Sequence, residues 1–225
     1  MNNILSFSVR WIGMLFGCLL VSSCSQLKDH ESAAVQQDFS KAFFYECSEN
    51  FNFSVKFDDA GVWLFLPDKT VNIPHVESAS GALYSDGALT FWNNGERSRL
   101  EVGQKIYQDC QYNPRKSIWE TAKLKGVDFR AVGHKPSWIL EINEYAKIVF
   151  TTDVGRKKFV FSTPQASIDY RLKQTRYKTR SIEHVLEILL QGKSCTDPIS
   201  KEVFNITVFV GMDGLAYNGC GRFLH

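Results

Sequence analysis

The chain of 225 residues contains none of the short motifs that carry catalysis. There is no GxSxG elbow, no HExxH helix, no phosphate-cradling glycine loop and no dinucleotide fingerprint. Gly192-Lys193-Ser194 lacks the upstream glycine of a P-loop. The histidines (His30, His75, His134, His184 and His225) stand singly, and no two cysteines form a CxxC pair, so no zinc spacing is present. No pair of acidic residues stands out as a hydrolytic motif. An enzyme needs groups that move protons, attack or hold a metal. The reading is therefore a non-enzymatic protein with no cofactor and no metal. Long internal repeats and low-complexity stretches are also missing, and the apolar run Trp11 to Val21 is too short to span a bilayer as a stable helix.

What the chain does contain is β pattern. FFYECS (43–48), FNFSVKF (51–57) and GVWLFL (61–66) carry aromatic and β-branched residues in partial alternation, separated by Asp58-Asp59-Ala60-Gly61 and Pro67-Asp68. SWILEIN (137–143), AKIVFTT (146–152), KKFVFST (157–163), FNITVFVG (204–211) and GLAYNGCG (214–221) behave likewise. SIEHVLEILLQG (181–192) has helical spacing at Ile182, Val185, Leu186 and Leu189, but also fits a buried strand at 185–191, which is the favoured reading. The expected class is all-β: a small antiparallel barrel or sandwich, then a second β-rich barrel or sandwich.

Charge divides the chain. From Tyr45 to Tyr112 there are ten acidic and five basic residues, a net of −5; from Arg115 to His225 there are eleven and eighteen, a net of +7. The break falls at Tyr112-Asn113-Pro114, where proline after a polar pair suits a linker. The expected units are 43–112 and 127–225, joined by a linker over 113–126. By charge alone the basic half suits anionic lipid, lipopolysaccharide or nucleic acid. Its lysines are dispersed along strands, which favours a solvated face over a dedicated site.

At the front, Val21-Ser22-Ser23-Cys24 follows an apolar core and resembles the lipobox of bacterial lipoproteins. The resemblance implies a signal peptide over 1–23, a lipid on Cys24, and a flexible tether over 24–42. An ordinary signal peptide cut near Ser23 and an uncleaved anchor are the alternatives. Ser25, where aspartate would mark inner-membrane retention, implies the outer membrane, periplasmic face. That address argues against nucleic acid and leaves a membrane, reached through the lipid, and an anionic envelope component as partners. With Cys18 removed and Cys24 lipidated, four cysteines remain. Three pairings are open; Cys47–Cys110 with Cys195–Cys220 is favoured because each brackets one strand-rich segment.

Residues 78–87, SASGALYSDG, read either as a tight turn between strands or as a loop shaped to enter another protein. Together with Tyr45-Glu46-Cys47, FWNNGE (91–96) and Tyr107-Gln108-Asp109-Cys110, this stretch resembles the membrane-bound and periplasmic inhibitors of c-type lysozyme. Ser80-Gly81-Ala82-Leu83-Tyr84 fits that family's SGxxY motif. The resemblance covers about residues 43–112. It implies an eight-stranded antiparallel barrel stapled by a disulfide, with the SGxxY loop pushed into the substrate cleft of a c-type lysozyme. Ser80 is then the primary contact. Gly81 shapes the loop, and Tyr84 buttresses it or adds a contact at the rim. Asn94 with Gly95 forms a second contact. Here the chain departs from the family: Phe91 replaces a tyrosine and Asn94 a lysine that meets an ionised cleft carboxylate, which implies weaker or altered inhibition.

Phe129-Arg130-Ala131-Val132-Gly133-His134-Lys135-Pro136-Ser137-Trp138, Cys195-Thr196-Asp197-Pro198-Ile199-Ser200 and Gly219-Cys220-Gly221 resemble a family of uncharacterised bacterial lipoprotein domains. That resemblance implies a packed tryptophan, a disulfide between strands and glycines at close crossings, and no activity. The competing function is a structural or envelope-binding outer-membrane lipoprotein without inhibitory activity.

Overall fold

The computed structural model describes residues 40–95 and 97–225. The expected signal peptide, lipidated Cys24 and most of the tether lie outside them. Eight strands form a closed antiparallel barrel: β1 (Phe43–Glu46), β2 (Asn52–Phe57), β3 (Gly61–Phe65), β4 (Thr70–Val76), β5 (Ala82–Ser85), β6 (Leu89–Asn93), β7 (Ser98–Val102) and β8 (Lys105–Tyr112). Alternation decides which side faces in. Phe53, Val55 and Phe57 of β2 are buried, as are Val62 and Leu64 of β3 and Leu89 and Phe91 of β6. Tyr45 sits among them, stacked on Phe53 at 5.3 Å, and burial pushes its phenol up to about 12.

The segment expected as a linker holds helix α1, Pro114–Leu124. Asn113 is its N-cap, accepting from the Lys116 N–H at 3.1 Å, and Pro114 occupies the first turn, where a missing N–H costs nothing. The polar pair and proline that read as a break are the start signal of this helix. It completes the barrel. β1 meets β8 only through Tyr45–Tyr112 and Glu46–Gln111. The remaining outward N–H groups of that edge go to the helix: Phe44 N donates to Ser117 Oγ at 2.7 Å, and Ala42 N to Thr121 Oγ1 at 2.9 Å.

Beyond the helix run β9 (Phe129–His134), β10 (Ser137–Ile142), β11 (Lys147–Thr152), β12 (Lys157–Ser162), β13 (Ser167–Asp169), β14 (Gln174–Arg180), β15 (Val185–Gln191), β16 (Cys195–Thr196), β17 (Val203–Phe204), β18 (Ile206–Met212) and β19 (Leu215–Phe223). Nine of them form one sheet in the order β12-β11-β10-β9-β19-β18-β15-β14-β13; β16 and β17 pair separately. Segment 181–192 contributes a strand: Leu186, Ile188 and Leu190 point into the core, while Val185 and Glu187 face out. Period two wins because β14 and β18 pair along both edges of β15.

Disulfides join Cys47 to Cys110 and Cys195 to Cys220 across 63 and 25 residues; loops of that size correspond to about 4 and 3 kcal/mol in the chain-entropy treatment. The glycines of the second half mark close contacts. A Cβ on Gly133 would lie 2.2 Å from Trp138 Nε1, and one on Gly219 would lie 2.1 Å from the Val132 carbonyl. Polar members of the same segments are engaged in structural pairs. Arg130 is ion-paired with Glu141. Asp197 is buried and accepts from Ser200 N at 2.6 Å, Ser200 Oγ at 3.0 Å and Ile199 N at 3.0 Å, and it lies 2.5 Å from His134 Nε2. Burial works to raise the Asp197 carboxyl, but these hydrogen bonds outweigh it and hold it below the usual carboxylate range.

Two outcomes are expected. Trp119 packs on Phe204 at 5.2 Å, with the guanidinium of Arg222 4.5 Å from its ring. Trp119→Ala should therefore cost about 3 kcal/mol, read from urea unfolding. Asp197, lowered in the folded chain, stabilises the fold above about pH 4, and that contribution fades as pH falls through its folded value. Melting temperature measured against pH should fall less steeply below about pH 4 in Asp197→Asn than in the parent.

Candidate functional site

Residues 78–87 do not form one loop. Residues 77–81 connect β4 to β5, Ala82–Ser85 are strand β5, and Asp86-Gly87-Ala88 turn at the other end of the barrel. That second turn is held by Asp86 Oδ1, which accepts from Ala88 N at 2.9 Å and Leu89 N at 2.7 Å. These two N–H donors lower the Asp86 carboxyl below its ordinary value.

The β4–β5 loop is fixed from three directions. Ser78 Oγ makes bifurcated contacts to the carbonyls of Ser80 and Gly81 at 2.9 and 3.0 Å. Trp92 Nε1 donates to the Ser80 carbonyl at 3.0 Å. Gly81 has φ +68, and a Cβ there would stand 2.7 Å from the Asn93 carbonyl, so a side chain is excluded both by conformation and by space. Ser80 itself is exposed, and among the described residues no hydrogen bond engages its hydroxyl.

Tyr84 is placed differently from a rim contact. It is buried at 3 % exposure, with its ring 5.3 Å from His75, 5.8 Å from Phe57 and 6.2 Å from Phe91. Inside the barrel it can anchor the strand below the loop, but a partner cannot reach it. Its inward direction follows from the register: Tyr84 faces Phe91 across β5 and β6.

Asn94 and Gly95 lie on the neighbouring β6–β7 loop. Ala82 pairs with Asn93, so this loop stands beside Ser80 and Gly81. Asn94 N donates to the Arg97 carbonyl at 3.0 Å, and Gly95 N to Asn93 Oδ1 at 3.0 Å. Asn94, Gly95 and Arg97 are exposed, and an open groove of about 590 Å³ runs from Gly95 and Arg97 to Asp109 and Tyr112. The structure thus gathers Ser80, Gly81, Asn94 and Gly95 at one end of the barrel. It also adds Trp92, the strut beneath the loop, which sequence reading missed. The available signal was its position next to inward Phe91, which turns the indole outward beside a glycine.

Among the described residues no group of three or more His, Cys, Asp or Glu side chains could hold a metal. No helix among them is long and apolar enough to cross a membrane. At this end of the barrel the exposed groups are the Ser80 hydroxyl and the Asn94 amide, with the charged Arg97 and Asp109 along the groove.

Residues 45–109 match the protein family described as membrane-bound lysozyme-inhibitor of c-type lysozyme. The chain is 31% identical over 119 residues to the membrane-bound lysozyme inhibitor of C-type lysozyme of Yersinia enterocolitica serotype O:8 / biotype 1B (strain NCTC 13174 / 8081), a match covering 51% of this chain and 97% of that protein. No solved structure matches the chain.

Gly81 and Gly87, both at positive φ within residues 78–87, provide an internal comparison. Gly87 has φ +89 and open space around its absent Cβ. Gly81→Ala should destabilise by about 2 kcal/mol or more, and Gly87→Ala by about 1, since only the first adds a clash to the backbone strain. Urea midpoints of the two variants measure the difference.

Proposed function

The chain belongs to the family of membrane-bound inhibitors of c-type lysozyme, and from that premise we propose that it blocks a c-type lysozyme by placing its β4–β5 loop in the substrate cleft. One observation carries this reading: Ser80 is exposed at the tip of a loop held by Ser78, Trp92 and the Gly81–Asn93 approach. Such a loop is ordered before it binds, so little conformational freedom is lost on docking.

The cleft of a c-type lysozyme contains a carboxylic acid that stays protonated and a carboxylate that stays ionised. A serine hydroxyl both donates and accepts, so it can satisfy either group without adding a like charge. Gly81 lets the backbone follow the hydroxyl into a narrow space. Asn94 offers an amide donor to the ionised carboxylate, which is about half as strong as a charged one. The barrel's net charge of −5 attracts a cationic enzyme and speeds encounter. A lipid on Cys24 in the outer membrane, facing the periplasm, would hold the inhibitor beside the cell wall that lysozyme attacks.

Cell-wall hydrolysis by a c-type lysozyme, titrated with the protein, tests the proposal. Ser80→Ala should raise the concentration needed for half inhibition about tenfold, the loss of about 1.4 kcal/mol expected of one buried hydrogen bond. Its thermal unfolding should match the parent because Ser80 is exposed. Undiminished hydrolysis in excess parent protein would reject the reading.

A further inference from the structure

We propose that the β13–β14 hairpin is a membrane-docking tip that settles the second sheet on an anionic phospholipid surface. This inference is independent of the inhibitory reading. The hairpin is the outer edge of the nine-stranded sheet, where β13 pairs with β14 alone. Its sequence, Ile168-Asp169-Tyr170-Arg171-Leu172-Lys173, alternates large apolar and charged residues through the turn. Ile168, Tyr170 and Leu172 are 53%, 84% and 57% exposed.

The turn is built rather than loose. Asp169 Oδ1 accepts from Arg171 N and Leu172 N, each at 3.0 Å, which fixes the turn, and its single negative charge stands against Arg171 and Lys173. Gly192 N donates to the Lys173 carbonyl at 2.8 Å, which ties the turn to the end of β15 and brings Lys193 alongside. Arg171, Lys173 and Lys193 are exposed.

Positive charge on an edge strand has an ordinary use, since it deters pairing with another sheet. That use does not account for three large apolar side chains beside the charges, which an exposed edge in water should avoid. The combination suits a bilayer interface. Tyrosine and leucine enter the headgroup boundary, and arginine and lysine meet the phosphates. Charge complementarity selects an anionic surface over a neutral one.

Placement agrees. The strand register puts the hairpin turn at the same end of the sheet as the β10–β11 turn, whose Tyr145 is 95% exposed, and as the start of β9. Helix α1 leads into β9, and Ala42 is bonded to Thr121 in the last turns of that helix. Ala42 therefore lies toward this end of the sheet as well.

The test uses full-length protein purified from the bacterial envelope and reconstituted in vesicles, with a polarity-sensitive dye on Leu172→Cys. A second preparation carries the dye on Ile182→Cys, in the turn at the opposite end of β14. The dye at 172 should shift to the blue in vesicles of phosphatidylcholine with phosphatidylglycerol, and not in phosphatidylcholine alone. The dye at 182 should not shift in either. Adding Arg171→Glu and Lys173→Glu should abolish the shift at 172 and leave the melting temperature within a few degrees, since both side chains are exposed. No shift at 172, an equal shift in neutral vesicles, or a shift at 182 instead would overturn the proposal.

Discussion

The hydroxyls of Ser117 and Thr121 hold the seam of the molecule. An eight-stranded barrel closes only if its first and last strands meet, and here β1 and β8 share two residue pairs. Backbone donors left over at Ala42 and Phe44 would face a dry interface without partners, a loss comparable to a broken hydrogen bond for each. Helix α1 supplies both acceptors from one face. Lys116 and Asn113 add contacts to Glu46 at 2.5 and 2.7 Å. On its other side the helix buries Trp119 against Phe204 and Cys220. One short element therefore caps the seam of the barrel and packs on the second sheet.

The closed barrel fixes the loops at its end. Tyr84, drawn inward by the aromatic core, pins β5. Pairing of Ala82 with Asn93 then leaves the backbone of Gly81 against the Asn93 carbonyl, so Ser80 has little freedom to move. The loop's order comes from the strands beneath it and from Trp92 rather than from contacts among its own side chains alone. The barrel thus presents a small polar loop held in place by the strands beneath it.

The second half uses its polar residues differently. Arg130 with Glu141, and Asp197 with His134 and Ser200, are consumed inside the fold. Breaking the Arg130–Glu141 pair would leave a buried guanidinium uncompensated. Exposed charged residues remain on strand faces as well as on turns, and the edge hairpin sets some of them beside large apolar side chains.

Sequence by itself determined the β class, the positions of nine of the nineteen described strands, the charge asymmetry and the SGxxY stretch, because alternation and turn chemistry are local properties of a strand. It also held the start of α1, in Asn113-Pro114, although the same pair serves equally as a turn; the helix's buried face of Ser117, Trp119 and Ala122 is too mixed to show apolar periodicity. Tertiary structure alone decided that Tyr84 faces inward, that Ser80 stands beside Asn94, and that SASGALYSDG spans two ends of the barrel. The reason is that a strand has two equivalent faces until closure of the barrel buries one of them. Residues 80 and 94 become neighbours only through the register of β5 on β6.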